Sequence, residues 1–200
     1  MLCPLINSRI MKKIFLFLVS ISIGVASSAQ TRWTIDPLHS FVSFSVKHMG
    51  ISFVEGSFKK FDGFVVAAKP DLTDAKVTFS VDVNSISTDV EQRDKHLKSD
   101  DFFKAETYPT MTFESTSFKK LRGKNYELSG KLTIRDVTKD VRFNVMFGGT
   151  TNDQQGNTRA GFSATSTINR FDYHVRYDST GTGIGKDVKI SLNLEFIQAK

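Results

Sequence analysis

The chain has 200 residues, 40% of them hydrophobic and 18 of them Phe, with 27 Lys and Arg against 21 Asp and Glu for a net charge of +6. Those cations are spread along the chain, which argues against the clustered basic surface of a nucleic-acid binder, and the single cysteine, Cys3, excludes an internal disulfide framework. One domain stabilised by burial alone is the expectation at this length.

Residues 1–29 read as a secretory signal peptide and residues 30–200 as the mature domain. Met11, Lys12 and Lys13 give a basic start, Ile14 to Val19 with Ile21 and Ile23 an apolar middle, and Ser27, Ser28 and Ala29 a small-residue exit, so cleavage is expected after Ala29. Met11 is the better start, which makes residues 1–10 an upstream extension. The apolar stretch falls short of the roughly 20 residues of a spanning helix and no basic stop follows it, so no stable membrane insertion is expected after leader removal. Removal takes Arg9, Lys12 and Lys13 and no acid, lowers the charge from +6 to +3, and implies a periplasmic or extracellular protein.

Trp33–Asp36 and Phe41–Met49 read as opening strands interrupted at Pro37, whose fixed φ and missing amide hydrogen suit a bend or edge. Ile51–Ala68 is mostly extended, with bulges or bends expected at Gly56 and Gly63, and Pro70-Asp71 turns the chain into Ala75–Val83. There Ala75, Val77, Phe79, Val81 and Val83 alternate with Lys76, Thr78, Ser80 and Asp82, the period of a strand with one oily and one wet face.

A short helix is expected over 88–98. Thr88 and Glu91 have the spacing of a capping box, and Glu91 with Lys95 and Asp94 with Lys98 have the favourable acid-first spacing of four. Val90, Arg93 and Leu97 share one side, so two apolar contacts carry a guanidinium toward the sheet.

Strands follow at Thr110–Phe118, Tyr126–Arg135, Asp140–Phe147, Ala160–Ile168 and Asp187–Ile197, with Asn152–Asn157 a polar loop. Gly181, Gly183 and Gly185 before Lys186 do not make a phosphate loop, because Thr180 stands where the first glycine is needed and Asp187 where the hydroxyl is; a flexible hairpin loop is expected. Many half-apolar ribbons and one helix leave two architectures, a two-sheet sandwich or a closed barrel.

Asp36, His39 and Ser40 hold the ingredients of a nucleophilic triad, but adjacent residues on an extended chain point to opposite faces, so local backbone bonding is expected instead. His39, His48, His96 and His174 lack any metal-ligand spacing, and no metal or cofactor is assigned. His48 is in register with Val42, Phe44 and Val46, the position of a core histidine bonded to backbone. Arg93 offers a fork suited to an anionic head group, or equally to strand carbonyls.

These segments resemble the YceI-like, polyisoprenoid-binding family. The resemblance is carried by Trp33-Thr34-Ile35-Asp36-Pro37-Leu38-His39-Ser40, Val46-Lys47-His48-Met49-Gly50, Arg93-Asp94-Lys95-His96-Leu97 running into Asp101-Phe102-Phe103, Tyr108-Pro109-Thr110-Met111-Thr112-Phe113, Gly130-Lys131-Leu132-Thr133-Ile134 and Ile168-Asn169-Arg170-Phe171-Asp172-Tyr173. It implies an all-β fold, an extended eight-stranded antiparallel β-barrel resembling lipocalins, whose tunnel holds a long-chain isoprenoid or other amphiphilic lipid such as a polyprenyl phosphate or an isoprenoid quinone. Frequent homodimers come with it. Asp136 and Asp140 stand where the family often has Gly and Pro, and His174 where Gly is common; Asp136 can still enter a left-handed turn conformation, which keeps the strand pairing, while His174 leaves the local loop shape open.

The resulting expectation is a non-enzymatic carrier or store. Val42, Phe44, Val46, His48, Phe79, Val81, Phe113, Leu132, Ile134, Phe143, Val145 and Leu192 are expected to line the tunnel, with Arg93 and His96 at its mouth. At ~0.8 kcal/mol per buried methylene, about ten buried carbons contribute on the order of 8 kcal/mol before ordering costs, so the tail alone would suffice for micromolar affinity. Two rivals remain: a lipid head-group hydrolase or isomerase using His39 or His96, and a structural barrel with a fully packed interior.

Overall fold

A computed structural model describes residues 30–69 and 71–199. The expected signal peptide, residues 1–29, and Pro70 of the expected turn lie outside the described residues. The elements are β1 (Thr31–Ile35), β2 (Phe41–His48), β3 (Ser52–Phe58), β4 (Phe61–Ala67), β5 (Lys76–Asp82), β6 (Ile86–Ser87), α1 (Glu91–Lys98), β7 (Thr110–Lys120), β8 (Asn125–Ile134), β9 (Val137–Asn152), β10 (Thr158–Asn169) and β11 (Ile184–Gln198).

All the strand pairings are antiparallel, and the pairing of β1 with β11 closes the sheet into a ring. β1 and β2 lie on the same edge of β11, at Trp33 opposite Gln198 and Val42 opposite Leu192, so the kink at Pro37–His39 joins two halves of one strand. β4 pairs with β1 and β3 with β2, while β5 pairs with β4 and β6 with β3. β3 with β4, and β5 with β6, are therefore each one bent strand, and the eleven segments make a closed eight-stranded barrel.

Period-two patterning decides which side of the wall is oily. β9 buries Val141, Phe143 and Val145 toward the lumen and exposes Arg142, Asn144 and Met146 outside. A mostly polar exterior around an apolar lumen is the inverse of a membrane-spanning barrel. Among the described residues no helix is long and apolar enough to cross a membrane.

The stretch expected as one extended run, Ile51–Ala68, is two strands broken between Phe58 and Phe61. Gly56 and Gly63 are not bulges; both keep register, Gly56 opposite Phe44 and Gly63 opposite Phe79. A Cβ at either position would collide with the facing phenyl ring. Glycine lets each ring lie along the wall, which keeps its bulk out of the lumen. The register shifts fall elsewhere, between Ser115 and Ser117, Gly161 and Phe162, and Ile184 and Val188.

The helix starts later than expected and without a capping box. Its N-cap is Val90, with no side-chain cap bond, because Asp89 takes φ +60 and swings Thr88 out of helical register. Thr88, buried, instead donates through its amide and hydroxyl to Asp94 Oδ1 at 2.8 and 2.6 Å, so Asp94 turns back to the threonine rather than forward to Lys98. At the β8–β9 turn the left-handed residue is Arg135, not Asp136. Asp136 bonds His174 Nδ1 at 3.2 Å, and His174 is itself left-handed, φ +60. Two of the departures from the family pattern thus contact each other and hold the β8–β9 turn against the β10–β11 loop.

Candidate functional site: an apolar cavity along the barrel axis

The lumen contains a cavity of about 470 Å³. Its closed end lies under the loop before β5, where Leu72, Ala75 and Phe118 are buried and Tyr126 donates its hydroxyl to the Asp71 carbonyl at 3.2 Å. Its other end lies beside α1, where Lys47, His48 and Tyr177 on the wall are exposed and Arg93 and His96 half-buried. At roughly 30 Å³ per water-sized group, the space admits about fifteen such groups, within the range of small-molecule pockets. The lumen is open, so the fully packed barrel does not describe this molecule.

Every residue the sequence nominates for tunnel or mouth lies on the cavity wall. Val42, Phe44, Val46, Phe79, Val81, Phe113, Leu132, Ile134, Phe143, Val145 and Leu192 form its apolar surface, and His48, Arg93 and His96 lie toward α1. His48 is not a core histidine; it ends β2 in an exposed position at the rim. Val188, Ile190, Leu194 and Phe196 join through the alternation that placed Leu192. Phe162, Ala164 and Ile168 of β10 have the same signal, and Tyr173, Val175 and Tyr177 alternate with His174, Arg176 and Asp178 in the same way although that loop forms no strand.

That loop is not the flexible hairpin expected from its glycines. Arg170, only 5% exposed, donates Nε to Gly185 O, Nη1 to Val175 O and Tyr177 O, and Nη2 to Asp178 O and Ile184 O, at 2.6–3.1 Å. Asp178 Oδ2 accepts from the amides of Gly183 and Ile184 at 2.8 and 2.7 Å. Burial draws the Arg170 pKa down, partly offset by Asp178, and the fork answers five carbonyls of the loop and of the start of β11, of which Asp178 O also accepts from the Gly181 amide at 3.0 Å. Beside it the Tyr173 hydroxyl is buried without a partner, and burial with the nearby Asp172 charge pushes it up to about 12.

Two of the polar residues near the mouth, Arg93 and His96, are already engaged. Arg93 donates Nε to Thr88 Oγ1 at 2.7 Å and Nη2 to Thr88 O at 2.9 Å, the scaffolding alternative of the two its chemistry allows. His96 Nε2 bonds Asp101 Oδ2 at 2.8 Å, and its ring meets Phe102 and Tyr177 edge-on at centroid distances of 5.0 and 4.8 Å.

His39 lies elsewhere, away from the cavity wall in the kink between β1 and β2. Its Nδ1 bonds Asp36 Oδ2 at 2.8 Å, while Ser40 Oγ accepts from Glu195 N at 2.9 Å, so the hydroxyl and the imidazole serve different partners. Asp36, His39 and Glu195 bring ligand atoms within 4.8 Å of one another, but Arg159 Nη1 donates to both carboxylates, at 2.6 and 2.5 Å, and answers their charge. Arg159 Nε also reaches Asp153 at 2.8 Å. This is an ion-pair cluster on the outer wall.

A profile of the YceI-like domain matches residues 33–196. A UPF0312 protein of Pectobacterium atrosepticum is 34% identical over 194 residues, 95% of this chain and all of that protein. The crystal structure of Burkholderia cenocepacia BcnA superposes with a TM-score of 0.73 at 25% identity, covering 80% of this chain and 98% of BcnA. A domain from Saccharophagus degradans described as polyisoprenoid-binding shares the fold, with a TM-score of 0.61 at 16% identity over 84% of this chain and 98% of that domain.

Proposed function

The chain belongs to the YceI-like family, and on that premise we propose that it is an exported carrier or store for a long-chain isoprenoid or similar amphiphile, held tail-inward in the barrel. The observation that carries this reading is the cavity itself, hydrocarbon-walled, closed at one end and open at the other beside α1. The fold shared with a domain described as polyisoprenoid-binding supports the same ligand class. As it stands, the space takes about fifteen methylene-sized groups. A longer tail leaves its remaining carbons at the mouth with the head group.

The binding energy on this reading comes from the tail, because the wall offers hydrocarbon on nearly every side and Arg93 and His96 at the mouth already have partners. The engaged state of Arg93 and His96 supports a binding protein over a head-group hydrolase. The leader composition supports delivery to the periplasm or the exterior.

Native mass spectrometry of the mature protein, taken from the exported fraction without detergent, tests the reading. The expected result is an adduct of several hundred daltons that organic extraction releases as an amphiphile. A consistently bare mass, together with failure to take up an added isoprenoid quinone, would overturn it.

A further inference from the structure

We propose that the β2–β3 hairpin tip docks the barrel on a lipid bilayer, with Met49, Ile51 and Phe53 entering the acyl boundary beside the cavity mouth; this rests on the lipid-carrier reading. These side chains are 63, 86 and 65% exposed and fall within five residues of one another. Isolated exposed hydrophobics are ordinary, but three at one tip are an apolar patch.

The local backbone makes folding an inadequate reason for this sequence. Met49 and Gly50 take φ +49 and +75, the left-handed region that suits glycine or asparagine and disfavours a bulky side chain. Met49 keeps its apolar side chain in water and its backbone in a disfavoured conformation at the same position. A residue that breaks a local rule on both counts without a packing gain marks function.

The position selects the occupant. Lys47 and His48, which precede the tip, lie on the cavity wall, and the Met49 amide donates to Gly183 O at 2.7 Å, tying the tip to the β10–β11 loop at the same end. A tail leaving the cavity thus emerges beside the exposed side chains, and a bilayer is where such a tail can go without crossing water. Three side chains on a narrow turn offer a few hundred Å², well below the roughly 800 Å² a stable protein interface takes from each partner, so a second copy fits less well. Lys47, opposite Phe53 across the ladder, adds a cation beside the apolar tip.

Co-sedimentation of the mature protein with vesicles of equal phosphatidylethanolamine and phosphatidylglycerol is the test. The expected result is measurable binding by the wild type and a drop of about tenfold or more in Met49→Ser/Ile51→Ser/Phe53→Ser. Met49→Asn alone separates docking from folding: asparagine suits the left-handed turn, so the melting temperature should hold or rise while vesicle binding falls. Equal binding by wild type and variants overturns the proposal, as does a wild type that carries lipid yet ignores vesicles. Unchanged vesicle binding with a dimer-to-monomer shift on size exclusion overturns it in favour of a second copy at the tip. Tip-dependent vesicle binding by a protein that never carries an amphiphile counts instead against the carrier reading alone.

Discussion

Asp36, in the kink between β1 and β2, accepts from Arg159 Nη1 at 2.6 Å although 123 positions separate the two in sequence. Burial works to raise the Asp36 pKa, but hydrogen bonds from His39, Arg159 and the Leu38 amide outweigh it and hold the carboxyl at about 2. Asp153 is held at about 2 chiefly by the same guanidinium. The cluster pins the kink to β10 and β11, where β1 closes the barrel.

Both folded-state values lie below the ordinary 3.8, so these carboxylates contribute stability that is complete above about pH 4 and is lost as pH falls through about 2. Melting temperature should therefore drop across that window in the wild type and drop less steeply in Asp36→Asn. Arg159→Met, which leaves three carboxylates without their shared cation, should lower the denaturant midpoint at neutral pH. A neutral result would remove the cluster from any account of barrel closure.

Arg170→Lys should fail to replace the buried fork. Lysine presents a single ammonium where the guanidinium reaches five carbonyls in three directions, so the variant should lose at least about 3 kcal/mol. Hydrogen exchange is the sharper measurement, with protection falling first at residues 170–185.

Tyr173→Phe should go the other way. It deletes a buried hydroxyl without a partner while keeping the ring, and should stabilise the fold by about 1 kcal/mol in chemical denaturation. A loss of stability would reveal a bond that this hydroxyl makes in solution.

Ala164 lies between Val145 and Leu192 on neighbouring strands, with its side chain on the cavity wall. Ala164→Phe should place a ring in the lumen and lower co-purified amphiphile by about tenfold or more, with circular dichroism unchanged. His39→Ala and His96→Ala should leave lipid content at the wild-type level, because His39 lies off the cavity wall and His96 stands at the mouth, held by Asp101. Intact lipid retention with loss of a measurable turnover in either histidine variant would favour the hydrolase.

The barrel wall was legible because its signal is local. A residue two positions from an inward neighbour points inward whatever the rest of the chain does, so Val42, Phe79, Phe143 and Leu192 could be assigned to one surface from spacing alone. The same logic failed where backbone conformation broke the count. Asp89 and Arg135 take left-handed dihedrals that residue type does not announce, which displaced the helix start and the turn residue. The loop bearing Tyr173 and Tyr177 alternates like a strand but forms none, and its order comes from Arg170 bonds to carbonyls as many as fifteen residues away.

Composition and period-two patterning determined an all-β domain with one apolar and one polar face to each ribbon, because side-chain direction follows from neighbouring peptides. Only the closed structure decided that the apolar faces enclose a space, which end of it opens, and that Arg159 draws Asp36, Asp153 and Glu195 together. Those outcomes depend on strand stagger and on rings lying over Gly56 and Gly63, distances between residues far apart in the chain that exist only once the ring has formed.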